Sequence, residues 1–279
     1  IYQRHFFPDA LPGESFDEGT TLYENDGVRL WHQGDDIGIL SFKSKMNTMG
    51  DAVLVGIEEA IVHAQEKCRA MVIWQRHGEN FSVGANLQEF AEKFMFEGPE
   101  ALEAAVAQFQ ITVQKVRYAR IPVIAAVHGM VLGGGCELMM HCDQVVAALE
   151  TYVGLVEVGV GILPAGSGCK EMAYRAAQAE NPKQALEKYY KNIAMGEVAK
   201  SAYRAKEMGY LQERDLIVAH KHELLYIAKK QASLLADLSY HPPQAPMIPV
   251  FGMDQIATIK MLLVNMRDGG FISKHDDLI

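Results

Sequence analysis

Two glutamates and two glycine-bearing segments offer the chemistry in this sequence. Glu137 follows directly on Gly133-Gly134-Gly135-Cys136. Consecutive glycines let the backbone approach a ligand closely, in conformations closed to other residues. At the mouth of a helix their freed N–H groups favour a negative oxygen. Glycines alone could equally form a flexible turn, but a carboxylate two residues on weighs against that. Glu157 is the single carboxylate in Val153–Pro164, a run otherwise made of apolar residues, glycines and a proline. A buried unpaired carboxylate needs a partner or a proton. Apolar surroundings raise its pKa, which suits general acid–base work. The plain alternative is a strand residue facing water. Gly84-Ala85, after Phe81-Ser82-Val83, could present a further N–H. Alone it reads as a loop; two N–H groups converging on one point would make an oxyanion hole.

These residues need elements to hold them. Val28 to His32 and Ile37 to Ser41 alternate on either side of Gly34-Asp35-Asp36, the pattern of a hairpin. Leu54, Ile57, Ile61 and Ala64 have helical spacing from Asp51 onward, and Ala70 to Trp74 is a short buried strand. Pro99 opens a helix carrying Leu102, Val106, Phe109, Val113 and Val116 on one face. Ile121 to Val127 is a second buried strand, Cys136 to His141 a helix, and Gln144 to Ala148 a third strand. Strand–loop–helix alternation indicates an α/β core. Beyond Leu163-Pro164 the chain reads as helical at Ser201–Met208, Ile217–Leu238 and Met253–Met266, with His241 to Pro249 as a linker. Residues 21–196 are expected to form the α/β core and 197–279 a helical C-terminal region.

Composition narrows the function classes. The net charge of −9 argues against a nucleic-acid surface. No stretch approaches 18 apolar residues, so no membrane span is expected. Cys68, Cys136, Cys142 and Cys169 form no C-x-x-C pair, which points to core cysteines in a reducing cytoplasm rather than to zinc or a redox dithiol. Gly161 to Gly166 has P-loop glycine spacing, but Ser167 stands where the lysine is required. Ala165 and Cys169 break a G-x-S-x-G pattern around Ser167, and neither G-x-G-x-x-G nor H-E-x-x-H is present. The chain begins at Ile1 without a signal-peptide core and stops without a closing element. Residues 1–20 are therefore expected to be a linker from an upstream domain, and the C-terminal region to be truncated.

Together, Phe81-Ser82-Val83-Gly84-Ala85-Asn86-Leu87 and Ala126-Val127-His128-Gly129-Met130-Val131-Leu132-Gly133-Gly134-Gly135-Cys136-Glu137-Leu138 resemble the enoyl-CoA hydratase/isomerase (crotonase) superfamily. Glu157 and Gly161-Ile162-Leu163-Pro164 continue the pattern in order. Phe42-Lys43-Ser44-Lys45-Met46-Asn47-Thr48 and the helical tail are similar to the subgroup fused behind a 3-hydroxyacyl-CoA dehydrogenase. The resemblance implies an α/β spiral of ββα turns with a helical C-terminal region used for trimer contacts. It implies a coenzyme A thioester as substrate and no cofactor in this chain, with NAD only in an upstream domain. Partners would be acyl-CoA and either further copies of the chain or an intramolecular dehydrogenase domain.

The resemblance further places the N–H groups of Ala85 and Gly134 on the thioester oxygen and makes Glu137 and Glu157 the pair holding a water. Hydration is then expected, with Glu137 as base and Glu157 as proton donor; members that only isomerise a double bond can work with the second glutamate alone. Lys45, Ser82, Gly84, Leu87 and Gly133 are the expected contacts of the coenzyme A thioester, Ser82, Gly84 and Leu87 through their main chain. Asn86 stands where an aspartate is common, Val156 where a proline is common, and Ala165-Gly166-Ser167-Gly168 is a variant turn. Isomerisation, another acyl-CoA reaction of this fold, and a non-catalytic oligomerisation module are the competing readings.

Overall fold

The computed structural model describes residues 18–279, so most of the expected linker, residues 1–17, lies outside the described part. Strands β1 (Thr20–Glu24), β2 (Val28–His32) and β3 (Ile37–Phe42) form an antiparallel meander. Helix α1 (Asp51–Lys67) crosses back to β4 (Ala70–Trp74), which pairs parallel with β3. Helices α2 (Leu87–Glu97) and α3 (Pro99–Arg117) lead to the long strand β5 (Val123–Leu132). Helix α4 (Gly134–Met140) connects it to β6 (Gln144–Gly154). Helices α5 (Gly168–Ala177), α6 (Pro182–Ala194) and α7 (Ala202–Glu207) precede the short edge strand β7 (Leu216–Val218). The sheet runs β1 to β7 in chain order, parallel from β3 onward.

Strand residues alternate between two cores. Leu40, Met71, Ile73, Val123 and Ala125 join α1, α3 and α4 on one face. Ile39, Val72, Ile124 and Ala126 join Leu224, Leu225, Ala228 and Ala232 of helix α8 (Leu224–Asp237) on the other. With helices on both faces, β3, β4 and the first half of β5 are buried throughout and read as apolar runs. The expected helix over Ile217–Leu238 therefore begins as strand β7. Leu216-Ile217-Val218 is a run of branched residues in register with Val146, Ala147 and Ala148, where a sheet edge outweighs local spacing. Helices α9 (Met253–Asp268) and α10 (Lys274–Leu278) follow the Pro-rich segment, which carries no regular structure from His241 to Gly252. Among the described residues no helix is long and apolar enough to cross a membrane.

The feature that positions the site is a break in β5. Its first half pairs with β4 and β6, and its register with β6 slips between Val127 and Gly129. Beyond this bulge the strand belongs to a second small layer. Ser82 bridges Val131 there, and Val153 of β6 bridges Ala199. A bulge bends a strand and re-aims the residues beyond it. Here it sends β5 toward the 82–85 segment, so that both glycine segments meet at one place. Gly129 makes the bend possible, with φ +60° and no room for a side chain: a Cβ would lie 1.7 Å from the Glu79 carbonyl oxygen.

This predicts a contrast between two glycines of positive φ. Gly34→Ala, in the open hairpin turn where a Cβ meets nothing, should cost about 1 kcal/mol from strain alone. Gly129→Ala should cost more than about 2 kcal/mol, because backbone must also move. Urea unfolding of both variants measures this; equal losses would show that the bend gives way freely.

Candidate active site

Segment 82–86 threads between two strands. Ser82 is fully buried, and its hydroxyl donates to the Asn47 carbonyl at 2.7 Å and accepts from Gly84 N–H at 3.1 Å. Ser82 N–H donates to Met130 O, and Leu132 N–H donates to Ser82 O. On the other side Met49 N–H donates to Gly84 O, and Asn86 N–H donates to Met49 O, both at 2.9 Å. Ala85 lies between those two bonds, so its own N–H faces away from Met49. It faces Gly134 instead: a Cβ on Gly134 would stand 3.3 Å from Ala85 N. Gly84, at φ +101°, permits this closeness, since a Cβ on it would meet Leu132 O at 2.9 Å and Gly134 N at 3.1 Å. Gly134 is the first residue of α4, where an N–H has no partner within the helix. Two N–H donors thus lie side by side.

Glu137 sits one turn along α4 and is 3% exposed. Its Oε1 accepts from Gly168 N–H, the first of α5, at 2.7 Å. Its Oε2 occupies space that a side chain at Gly166 would take, 2.4 Å from where that Cβ would stand. The ring of Phe109, from α3, fills the remaining gap, within 2.7 Å of a Cβ on either Gly134 or Gly166. Burial, then the nearby Glu157 carboxylate, pushes the Glu137 pKa up to about 8, against the opposing backbone bonds from Gly168 and Gly166. Glu157 opens a single 3-10 turn, Glu157–Val160, after β6. Its Oε1 faces Gly133, and its Oε2 is buried with no hydrogen-bond partner. Burial pushes its pKa up to about 7. Two such carboxylates titrate as a pair, and between these values the pair holds one proton.

A cavity of about 660 Å³ joins these groups. Ala85, Gly134, Glu137 and Glu157 line it together, with Gly84, Gly133 and Leu87. Its far wall is apolar: Phe90 and Phe94 of α2, Leu102, Val106 and Phe109 of α3, and Ile162. Ile279 also reaches it, and His275 Nε2–H donates to Gly161 O at 2.8 Å. Of the expected contact residues, Lys45 and Ser82 do not line the cavity. Lys45 lies in the exposed turn before Thr48, and Ser82 is occupied in holding the 82–86 segment. Gly168, Phe109 and the wall from α2 are not legible as site residues in the sequence. The start of α2 is marked there by Asn86, whose side chain accepts from Glu89 N–H, the signature of an N-cap.

Residues 36–188 match the family described as enoyl-CoA hydratase/isomerase. The chain is 35% identical over 256 residues to a Bacillus subtilis protein named "Probable 3-hydroxyacyl-CoA dehydrogenase", covering 91% of this chain and 32% of that protein. It is 28% identical over 170 residues to the "Fatty acid oxidation complex subunit alpha" of Idiomarina loihiensis, covering 60% of this chain and 23% of that one. The chain thus spans a third or less of these curated relatives. Its fold matches that of an enoyl-CoA hydratase from Polaromonas sp. JS666, with a TM-score of 0.64 and 23% identity over 87% of this chain and 92% of the other. An enoyl-CoA hydratase from Bacillus anthracis matches with a TM-score of 0.60 and 23% identity, over 90% and 86%.

The raised pKa of Glu137 has a consequence for stability. Between the ordinary carboxylate value and about 8 the folded chain holds a proton that the unfolded chain has lost. Stability from this group therefore falls as pH rises through that window. Glu137→Gln removes the term while keeping an oxygen for Gly168 N–H. The variant should be more stable than the parent above pH 8 by about 2 kcal/mol or more, and the difference should vanish near pH 4. Thermal denaturation across this range measures it; a gain independent of pH would contradict the burial of a titrating carboxylate.

Proposed function

The chain belongs to the enoyl-CoA hydratase/isomerase family, and on that premise we propose that it is an enoyl-CoA hydratase module of fatty-acid β-oxidation, adding water to trans-2-enoyl-CoA to give 3-hydroxyacyl-CoA. The observation that carries the reading is that the buried Glu137 carboxylate, the partly buried Glu157 carboxylate and two free backbone N–H groups face one cavity with an apolar end. A conjugated thioester placed there would rest its oxygen on the Ala85 and Gly134 N–H groups and its acyl chain along the α2–α3 wall. A water between the carboxylates would lie over C3.

The proton balance then closes. Ionised Glu137 takes a proton from the water as its oxygen bonds to C3. The electron pair of the double bond moves toward the thioester, and the enolate oxygen is stabilised by the two N–H groups. Glu157 delivers its proton to C2. Backbone donors support the charged form of both groups, Gly168 and Gly166 at Glu137 and the main chain of Val156 and Glu157 at Glu157, whose Oε2 is left without a partner. The deeper burial of Glu137 favours the proton there. A water bound between the two can redistribute one proton, so the pair rather than either residue sets the active state. Isomerisation needs only one carboxylate, and the second one, held by Gly168, favours hydration.

We further propose that the module belongs to a fused 3-hydroxyacyl-CoA dehydrogenase. The support is the match over 91% of this chain to about a third of a relative bearing that name. The coenzyme A thioester would be a substrate, and NAD would serve only the dehydrogenase part.

Hydration of crotonyl-CoA, followed by loss of the conjugated thioester absorbance, tests the reading. Either Glu137→Gln or Glu157→Gln should lower kcat by about 10²–10⁴-fold with little change in KM. The parent profile should be bell-shaped, rising through about 7 as the pair gains a base and falling through about 8 as it loses its acid. Isomerase activity without hydration would replace this reading with the isomerase one. A protein that binds no acyl-CoA by calorimetry would leave an oligomerisation module.

A further inference from the structure

The Glu137–Gly168 bond depends on how α4 and α5 sit against each other, and a buried charged cluster holds them one turn further along. Glu171 lies one turn into α5 from Gly168 and is 1% exposed. Arg117 Nη2, from the end of α3, donates to Glu171 Oε2 at 2.7 Å and to the Met140 carbonyl at 3.1 Å. Arg175 Nε donates to Glu171 Oε1 at 3.0 Å, and its Nη2 to the same Met140 carbonyl at 3.2 Å. Its Nη1 donates to the carbonyls of Gly209 and Tyr210. Met140 is the last residue of α4, one turn beyond Glu137. The helices are thus joined at two levels, Glu137 to Gly168 in the site and Met140 to Glu171 through two guanidinium groups behind it.

His141 adds a third strut. The Glu137 carbonyl can only accept, so Nδ1–H donates to it at 2.7 Å, and Nε2 is left to accept from Lys170 Nζ at 3.1 Å. Burial, with Arg117 beside it, holds the ring neutral, its pKa pushed down to about 3. One carboxylate faces two guanidinium groups in this cluster. Such an arrangement is poor evidence of net stabilisation, so its role is sought in the geometry it fixes.

Resting on the hydratase reading, the geometry points to Arg117, Glu171 and Arg175 as a positioning clamp that sets the Gly168 N–H on the Glu137 carboxylate. The clamp touches neither the cavity nor substrate, so its residues act through Gly168. Loosening it lengthens the Gly168 bond, the first of the two backbone hydrogen bonds that favour ionised Glu137. The base would then form at higher pH, while the Ala85 and Gly134 donors that hold the thioester stay in place. Glu157, Cys136 and Cys169 are the other titratable groups facing Glu137, and none is altered.

Two variants of the full chain test this. Glu171→Gln removes the shared acceptor charge. Arg117→Met leaves a balanced Glu171–Arg175 pair and keeps the variant foldable. For the folded protein, kcat should fall about ten- to a hundredfold with KM changed less than about threefold. The limb of the pH profile near 8, set by the group of higher pKa, should move to higher pH. Carbon-13 NMR titration of the Glu137 carboxyl should show the same upward movement without catalysis. Arg117→Met with the parental limb and parental titration overturns the clamp. A loss of activity that only follows the folded fraction, with the limb unmoved, overturns it as well. Should the parent fail to hydrate crotonyl-CoA while the titration still moves, the reading of function falls and the clamp stands.

Discussion

The structure turns on keeping the Glu137 carboxylate out of water without giving it a cation. A carboxylate that is 3% exposed is ordinarily paired with a lysine or arginine. Here its one oxygen takes a backbone N–H and its other lies over a glycine, with an aromatic ring and a second carboxylate close by. A cation would fix the charge and remove the site's ability to exchange a proton near neutral pH. A backbone donor supports the charge only in part, and so leaves the group poised. Other features of this end of the molecule stem from that constraint. Gly166 leaves room for Oε2, Phe109 excludes solvent, and the arginines that could have neutralised Glu137 bind Glu171 instead.

Such a site needs three separate stretches of chain brought together, and the fold does this with one irregularity. A β5 without the bulge would carry the triple glycine past the 82–85 segment. The register slip at Val127–Gly129 turns the strand, and the Ser82–Val131 and Val153–Ala199 bridges hold it turned. Gly129 is thus as much a part of the site as Gly134, although it lies five residues away and touches no ligand position. Its requirement is steric, and it is set by the Glu79 backbone.

Much of this is legible in the sequence, and the parts that are not share a cause. The hairpin, the buried strands and helices α1 and α3 have patterns of their own, because each buries a face against something large. So do the two glycine segments and the isolated carboxylate at Glu157. The illegible elements lack such a pattern. Helix α2 buries no residue, so its periodicity marks a cavity wall rather than a core. Strand β7 is three residues long and exists because β6 offers a free edge. Gly168 cannot be read as a site residue, since its contribution is an N–H, which every residue but proline carries. Ser82 has the place of a main-chain ligand contact in its motif, yet its N–H and carbonyl are taken by Met130 and Leu132 and its hydroxyl by Asn47 and Gly84. A motif locates a backbone path, and which of its side chains face inward depends on neighbours that the motif does not contain.

The two ends of the cavity are built to different tolerances, and the difference comes from the task of each. The carboxylate end is held by buried charge, by struts to carbonyls and by glycines where a Cβ would collide with its neighbours, the tolerance that proton transfer would demand. The apolar end is walled by α2, which packs on α3 and is tied to α1 by the Glu89 contact to Asp51 N–H and the Lys93–Asp51 ion pair. Exposed ties of this kind contribute little, and a helix without buried residues opens at low free energy. Displacing water from an apolar surface needs area and not direction, which a yielding wall can supply. Rigidity is therefore placed where direction matters and softness where only area matters.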